Sequence, residues 1–228
     1  MAKLNRTRQA ILQVATNLFL EKGYTQTSPT MICERLDISL GNMTYYFPTK
    51  EHMLSELTDM LCLFQWKLME EEADEGISSI LALCLELTSM ASACESNEAI
   101  KDFFIASYTS PMCLEIIRKN DAKRAKEVFA AYRSDWTDEQ FGEAEILVSG
   151  IEYATLMTTA PAVALETRIT GALHNILGIY GVDEETRNAK IQKVFNMDYK
   201  GLGPEVLEKF KEYVKIHNEE AVKAFTKK

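Results

Sequence analysis

Apolar residues recur at helical spacing along the whole chain, in segments cut by short polar, glycine or proline breaks, and no strand-like alternation is sustained. The first segment shows the rule. Ile11, Val14, Ala15, Leu18 and Phe19 stand at i, i+3, i+4, i+7 and i+8, which places them on one helical stripe. A chain built this way buries stripe against stripe, so the expected fold is all-α. Ten glycines and five prolines in 228 residues, most of them between periodic segments, agree.

The breaks divide the chain. Lys22-Gly23 closes a first helix over about 4–21, with Gly23 suited to a left-handed cap. Ser28-Pro29 opens a second helix over 29–36 that buries Ile32 and Leu36, because Ser caps free amides and Pro is pre-set for the first helical position. Asp37-Ile38 turns tightly, and Ser39 caps a third helix that Phe47-Pro48 stops after Tyr46. Thr49 caps a long fourth helix reaching about residue 72. Further helices are predicted near 76–94, 97–108, 112–134, 137–160, 164–180, 184–197 and 204–226. The breaks between them are Glu75-Gly76, Ser96-Asn97, Ser110-Pro111, Asp135-Trp136, Pro161, Gly181 and Gly201-Leu202-Gly203-Pro204.

Formal net charge is −9, which at first argues against a nucleic-acid partner. Its distribution reverses the argument. Residues 1–50 hold Lys3, Arg6, Arg8, Lys22, Arg35 and Lys50 against Glu21, Glu34 and Asp37, a net of +3, and the rest carries −12. An anion-seeking head on an acidic body is implied. Cysteines 33, 62, 84, 94 and 113 are odd in number, widely spaced and set among apolar residues, with no C-x-x-C. They read as buried thiols of a reduced, cytoplasmic protein. Gln13, Thr16, Asn17 and Glu21 interrupt the first apolar stripe, so it is no signal peptide. Residues 146–165 carry only Glu152 as a charge, yet Ser149, Gly150, three threonines and Pro161 make them a buried helix and not a membrane span.

Two short helices joined by about three residues, after an amphipathic one, make a helix-turn-helix. The second must be slim and polar on one side to enter a major groove about 12 Å wide. Residues 39–46 meet that need. Gly41 permits close approach, Asn42 and Thr44 offer hydrogen-bonding tips, Tyr45 and Tyr46 reach for phosphate, and Met43 and Phe47 face the core. On geometry alone, a helical hairpin packed by aromatics stays open as an alternative.

The wording of the segment narrows this. Arg8-Gln9-Ala10-Ile11-Leu12, then Phe19-x-x-x-Gly23-Tyr24, Thr27-Ser28, and Ile38-Ser39-x-Gly41-x-Met43-x-Tyr45-Tyr46-Phe47-x-x-Lys50-Glu51 together resemble the TetR family of repressors over about residues 6–54. The resemblance implies a head over 1–50 and a helical effector-binding and dimerisation body over 51–228. It implies that Ser39, Leu40, Gly41, Asn42, Thr44 and Tyr45 face bases or sugar-phosphate and that Tyr46 touches phosphate. Thr27 and Ser28 resemble the phosphate-binding start of helix 2, and Lys50 the basic residue opening helix 4. Three residues depart from the pattern: Leu40 where a basic or polar residue is common, Thr44 where an aromatic is, and Asp37 where the turn often has Gly. Leu40 can instead meet a thymine methyl.

The family implies a homodimer on a palindromic double-stranded operator and a small effector, expected to be apolar or amphipathic. Dimerisation would use the helices near 137–160 and 164–180, whose small residues are Ala144, Gly150, Ala154, Gly171, Ala172 and Gly178. Trp66, Phe103, Phe104, Tyr108, Met112, Phe129, Tyr132 and Tyr153 supply the aromatic and soft surface from which a pocket is built. Glu86 and Glu152 are isolated charges in apolar runs, and each needs a partner, either a protein base such as Arg168 or a cationic ligand. Rival classes are an architectural DNA-binding protein with no effector, and a di-metal helical bundle. The latter needs Glu-x-x-His. The residues three before His52, His174 and His217 are Thr49, Gly171 and Val214, so no enzyme, metal site or cofactor is expected. The last helix offers an apolar face through Leu207, Phe210, Val214 and Phe225, expected to cover the body.

Overall fold

The computed structural model of the protein describes residues 2–74, 79–158 and 163–226, with side chains described between residues 6 and 218. Among the described residues there are eleven helices and no strand: α1 (Ala2–Lys22), α2 (Pro29–Leu36), α3 (Leu40–Tyr46), α4 (Lys50–Ala73), α5 (Ile80–Ser96), α6 (Glu98–Thr109), α7 (Pro111–Phe129), α8 (Asp138–Met157), α9 (Leu165–Ile179), α10 (Glu184–Phe195) and α11 (Tyr199–Thr226). The expected all-α class is what the chain adopts. The predicted breaks at Gly76 and Pro161, and the side chain of Phe225, lie outside the described residues.

Capping residues set most of the starts. The hydroxyls of Ser28, Ser39 and Ser110 and the Asn97 amide oxygen each accept backbone N–H groups of the first turn of their helices. Thr137 and Gln140 form a reciprocal capping box on α8. Each such cap contributes about 1 kcal/mol.

The predicted break over residues 201–204 is absent, and α11 begins at Tyr199 with Pro204 inside it. Asp198 provides the start, its carboxylate accepting the Gly201 N–H at 3.0 Å and its carbonyl the Leu202 N–H at 3.0 Å. Pro204 sits in the second turn, where it forgoes one hydrogen bond without stopping the helix. Gly203 is present for space: a Cβ there would stand 2.5 Å from the Ser89 carbonyl oxygen. Glycine here marks a close helix crossing between α11 and α5.

Helix α5 is the hub. It packs against α4, α6, α8, α9, α10 and α11, and thirteen of its seventeen residues are buried. That near-uniform burial explains its lack of a clean polar face. α4 runs from the head into the body, burying Met53, Leu54, Leu57, Leu61 and Met69. α11 covers the body through Leu207, Phe210 and Val214, and it also packs along α1, where Asn218 Nδ2 donates to the Gln9 carbonyl at 3.3 Å. It therefore ties the first helix of the head to the body. All five cysteines are free thiols, four of them buried and Cys62 partly so. Among the described residues, no helix is long and apolar enough to cross a membrane.

Candidate nucleic-acid interface and effector cavity

Helices α2 and α3 are joined by residues 37–39 and cross over α1. Asp37 takes φ 51°, ψ 49°, the left-handed conformation that ends α2. Ile32, Cys33, Met43 and Phe47 are buried under the pair and fix its angle, while the opposite side of α3 faces solvent. Leu40 is 52% and Tyr45 72% exposed, and Gly41 and Asn42 are exposed beside them. No other side chain or backbone lies within 4 Å of a Cβ placed on Gly41. The Tyr46 ring packs edge-on to Tyr45 at 5.1 Å. Thr44 is half-buried, its hydroxyl donating to the Gly41 carbonyl at 3.3 Å. Leu40, Gly41, Asn42 and Tyr45 thus form one open face, with exposed Ser39 capping the start of the helix.

Two of the residues expected at phosphate do other work. Thr27 is fully buried, and its hydroxyl bonds the carbonyls of Gly23 (2.8 Å) and Leu18 (3.2 Å), so it locks the α1–α2 loop from inside. Lys50 donates to the Tyr24 and Thr27 carbonyls at 2.7 and 2.9 Å, with its ammonium 4.0 Å from the Tyr24 ring centre. Partial burial lowers its pKa, and Asp102 opposes that. An ammonium has three protons, so one remains for an outside acceptor. Ser28 is exposed, with its hydroxyl occupied as the α2 cap.

Helix α6 reaches the same loop from the body. Asp102 accepts from the Thr25 N–H at 2.7 Å and hydroxyl at 2.6 Å. Gly23, at φ +90°, leaves the room Asp102 needs, since a Cβ there would lie 2.7 Å from the carboxylate. Arg8 joins α1 to α4 through a two-pronged ion pair with Glu56 and lies over the Phe47 ring at 4.7 Å.

The body holds a partly open cavity among α4, α5, α6, α7 and α8. Leu61, Leu83, Leu87, Met90, Phe104 and Ile117 give it an apolar wall, and Glu86, Asp121, Arg124, Glu152, Tyr108 and Gln65 interrupt that wall. Arg124 stands 2.7 Å from Glu86 and 3.2 Å from Asp121, with Trp66 stacked beneath it at 4.4 Å. Tyr108 donates to Glu152 at 2.9 Å. One and two turns earlier on the same α8 face, Ser149 accepts from Arg118 at 2.9 Å and Glu145 accepts from Tyr180. Burial pushes the Glu86 carboxyl up to about 7 even though Arg124 pulls it down. Burial, with Asp121 nearby, lifts Glu145 to about 8 and holds Glu152 well above the usual range. Desolvation outweighs pairing at all three.

Of the aromatic residues proposed for a pocket, Phe104 and Tyr108 line this cavity with Glu152. Trp66 borders a shallower hollow beside it, on the outer side of Arg124. Phe129 is stacked on Tyr180 at 4.2 Å in a separate aromatic cluster, and neither it nor Tyr132 or Tyr153 is on the cavity wall. Arg168 pairs with Glu95 at 2.7 Å and not with either isolated glutamate. The sequence reading missed Asp121, Arg124, Gln65 and Glu145. Glu145 carried a signal, standing seven residues before Glu152 on one face. Among the described residues no group of His, Cys, Asp and Glu is arranged to hold a metal.

Residues 11–57 match the family model described as bacterial regulatory proteins, tetR family. No curated protein matches the chain. Among solved structures the fold is similar to SmeT, described as the repressor of the Stenotrophomonas maltophilia multidrug efflux pump SmeDEF, at 17% identity and TM-score 0.53, covering 78% of this chain and 91% of that one. It is similar to RolR without ligand at 15% identity and TM-score 0.57, covering 80% and 95%, and to a SmeT–triclosan complex at 17% and 0.51, covering 78% and 93%. The matched segment contains the whole helix-turn-helix described above, so it is the head of this chain that is similar to the tetR family of bacterial regulatory proteins.

Proposed function

We propose that the protein is a homodimeric transcriptional repressor that holds a palindromic operator with residues 1–50 and is released from it when a small effector enters the cavity of residues 51–228. The observation that carries this reading is the face of α3: Leu40, Gly41, Asn42 and Tyr45 stand open while Met43 and Phe47 anchor the helix from behind. A helix so held fits a major groove, with Asn42 able to pair with a base edge and Leu40 to meet a thymine methyl. Tyr46, Ser28 and the free proton of Lys50 serve the phosphates, and Thr27 keeps the loop in shape. SmeT is described as a repressor and has a complex with triclosan, which supports a regulator with an effector site.

A head of about fifty residues binds weakly alone, and two-fold symmetry squares its discrimination. α8 supports a second copy, since Ile146 (54%), Leu147 (61%) and Met157 (45%) are exposed apolar residues on it. Gly150 and Ala154 on α8 and Gly171 on α9 face outward with them, whereas Ala144 and Ala172 are buried and Gly178 packs against Arg187. Free thiols suit a cytoplasmic regulator.

Selection of bound sequences from random duplexes, followed by salt titration, tests the proposal. A palindrome with half-sites about 34 Å apart is expected. Asn42→Ala should change sequence preference at one position by about 1–3 kcal/mol, and Tyr46→Phe should weaken all sequences alike. Enrichment of no sequence, with wild-type and both variants binding equally, would reject the interface and leave an architectural binder.

A further inference from the structure

Acidic groups around the cavity outnumber basic ones. Three carboxylates face it, from Glu86, Asp121 and Glu152, against the single guanidinium of Arg124. Arg124 is committed to Glu86, Asp121 and the Trp66 ring. Glu152 has the Tyr108 hydroxyl and, among the described residues, no ion pair. Behind it Glu145, 2% exposed, has one oxygen on Tyr180 and the other bonded to nothing.

A second, separate observation concerns α4 and α5. Gln65 is 3% exposed and lines both this cavity and a small adjoining hollow, yet its amide makes no hydrogen bond among the described residues. The Ser89 hydroxyl in the adjoining hollow is 1% exposed and also unbonded. Buried polar groups are normally satisfied, so groups left open on a cavity wall point to a guest that supplies their partners. Leu61, Leu83, Leu87, Met90, Ile117 and the Phe104 ring give the same cavity its hydrocarbon surface.

We propose that the cavity takes an amphipathic organic cation, with an ammonium or amidinium group against Glu152, its hydrocarbon along Leu83, Leu87 and Phe104, and a hydrogen-bonding group toward Gln65. An anion would meet carboxyl groups that repel it once ionised, whereas a cation would favour their ionised form, and a plain hydrocarbon would leave Gln65 without a hydrogen-bond partner and Glu152 without a counter-ion. Aromatic faces add to the preference for a cation. This names the effector class for the site in the proposed function, and its regulatory meaning rests on that reading.

The test uses the full chain without DNA, so it can fail independently of operator binding. Benzyltrimethylammonium and its uncharged carbon isostere, (2,2-dimethylpropyl)benzene, are titrated by ligand-observed NMR. The wild-type protein should bind the cation at least tenfold more tightly. Glu152→Gln should remove most of that preference while the isostere binds as before, and Gln65→Leu should leave the preference intact. If the isostere binds as tightly as the cation, or neither binds, the inference is overturned. A preference that survives Glu152→Gln also overturns it, because the cation then sits elsewhere.

Discussion

Asp37 holds a left-handed backbone, φ 51°, in the turn that sets the angle between α2 and α3. A Cβ in that region costs roughly 1–2 kcal/mol, and Asp tolerates it because its short polar side chain can bond locally. Asp37→Gly should therefore hold or raise stability by up to about 1 kcal/mol. Asp37→Val, with a branched Cβ, should lower it by about 1–2 kcal/mol. Urea unfolding of the three proteins checks this, and equal midpoints for Val and Gly would show that the turn does not constrain the head. Gly23 is bound more tightly, since its positive φ coincides with the Asp102 carboxylate where a side chain would begin. Lys50 has a structural task that its pattern does not announce. The resemblance implied a phosphate contact, but two of its protons hold the Tyr24 and Thr27 carbonyls. Those partners lie more than twenty residues away along the chain, and no local pattern reveals them.

Helix α6 carries Asp102 at the head and Phe104 and Tyr108 at the cavity, within two turns of one rigid element. On the proposed function, a guest that moved the Tyr108 end would displace the loop before α2 through the same rod, alongside α4. Asp102→Ala removes both bonds to Thr25. The expected outcome is unchanged effector affinity with a smaller response of operator affinity, a loss within the usual coupling of about 1–3 kcal/mol. Fluorescence anisotropy of a labelled operator, with and without effector, measures it. An undiminished response would assign coupling to α4 alone. Most helices were legible in the sequence because their ends carry chemistry: Ser28-Pro29, Ser39, Asn97, Ser110-Pro111 and Thr137 all act where their residue types predict. Gly201 to Pro204 misled because glycine serves both as breaker and as close-contact residue, and only the packing of α11 on α5 separates the two uses. The open face of α3 was legible for the same local reason. The cavity was legible only in Phe104, Tyr108, Glu86 and Glu152, because hydrophobic periodicity marks a side as buried without saying against what. Arg124 finds Glu86 across two helices, and no spacing encodes that.

At the scale of the whole molecule, α8 has two jobs on opposite sides: Ile146, Leu147 and Met157 face outward, and Glu145, Ser149 and Glu152 face the interior. If the outward side joins two copies, Ile146→Glu should yield a folded monomer by sedimentation, with operator affinity reduced at least a hundredfold; a dimer of unchanged strength would move the interface elsewhere. The inward side predicts how stability depends on pH. The groups facing the buried polar centre are Glu145, Glu152 and Arg118 between α7 and α8, Asp121 and Arg124 from α7, Glu86 from α5, Cys62 from α4, Tyr108 from α6, and Tyr180 after α9. Burial raises the carboxyls, Glu86 to about 7 and Glu145 to about 8 from an ordinary 4.5, with Asp121 and Glu152 also raised. A raised acid binds its proton more tightly in the native state than in the unfolded chain, so the native state holds the extra protons between the two pKa values. Stability then falls as pH rises, by about 1.4 kcal/mol per pH unit for each extra proton held. The favourable contribution is complete near pH 4.5 and is lost through pH 7–8, the window set by Glu86 and Glu145. Glu166 and Asp183, whose pKa values are lowered, act below that window and are exposed. Thermal melts should thus give a higher Tm at pH 5.5 than at pH 8.5, and Glu145→Gln, which stays neutral on Tyr180, should flatten the slope. A Tm that rises over this range would mean that the carboxylates are ionised together in the native protein and that the centre holds a charge its own residues do not supply.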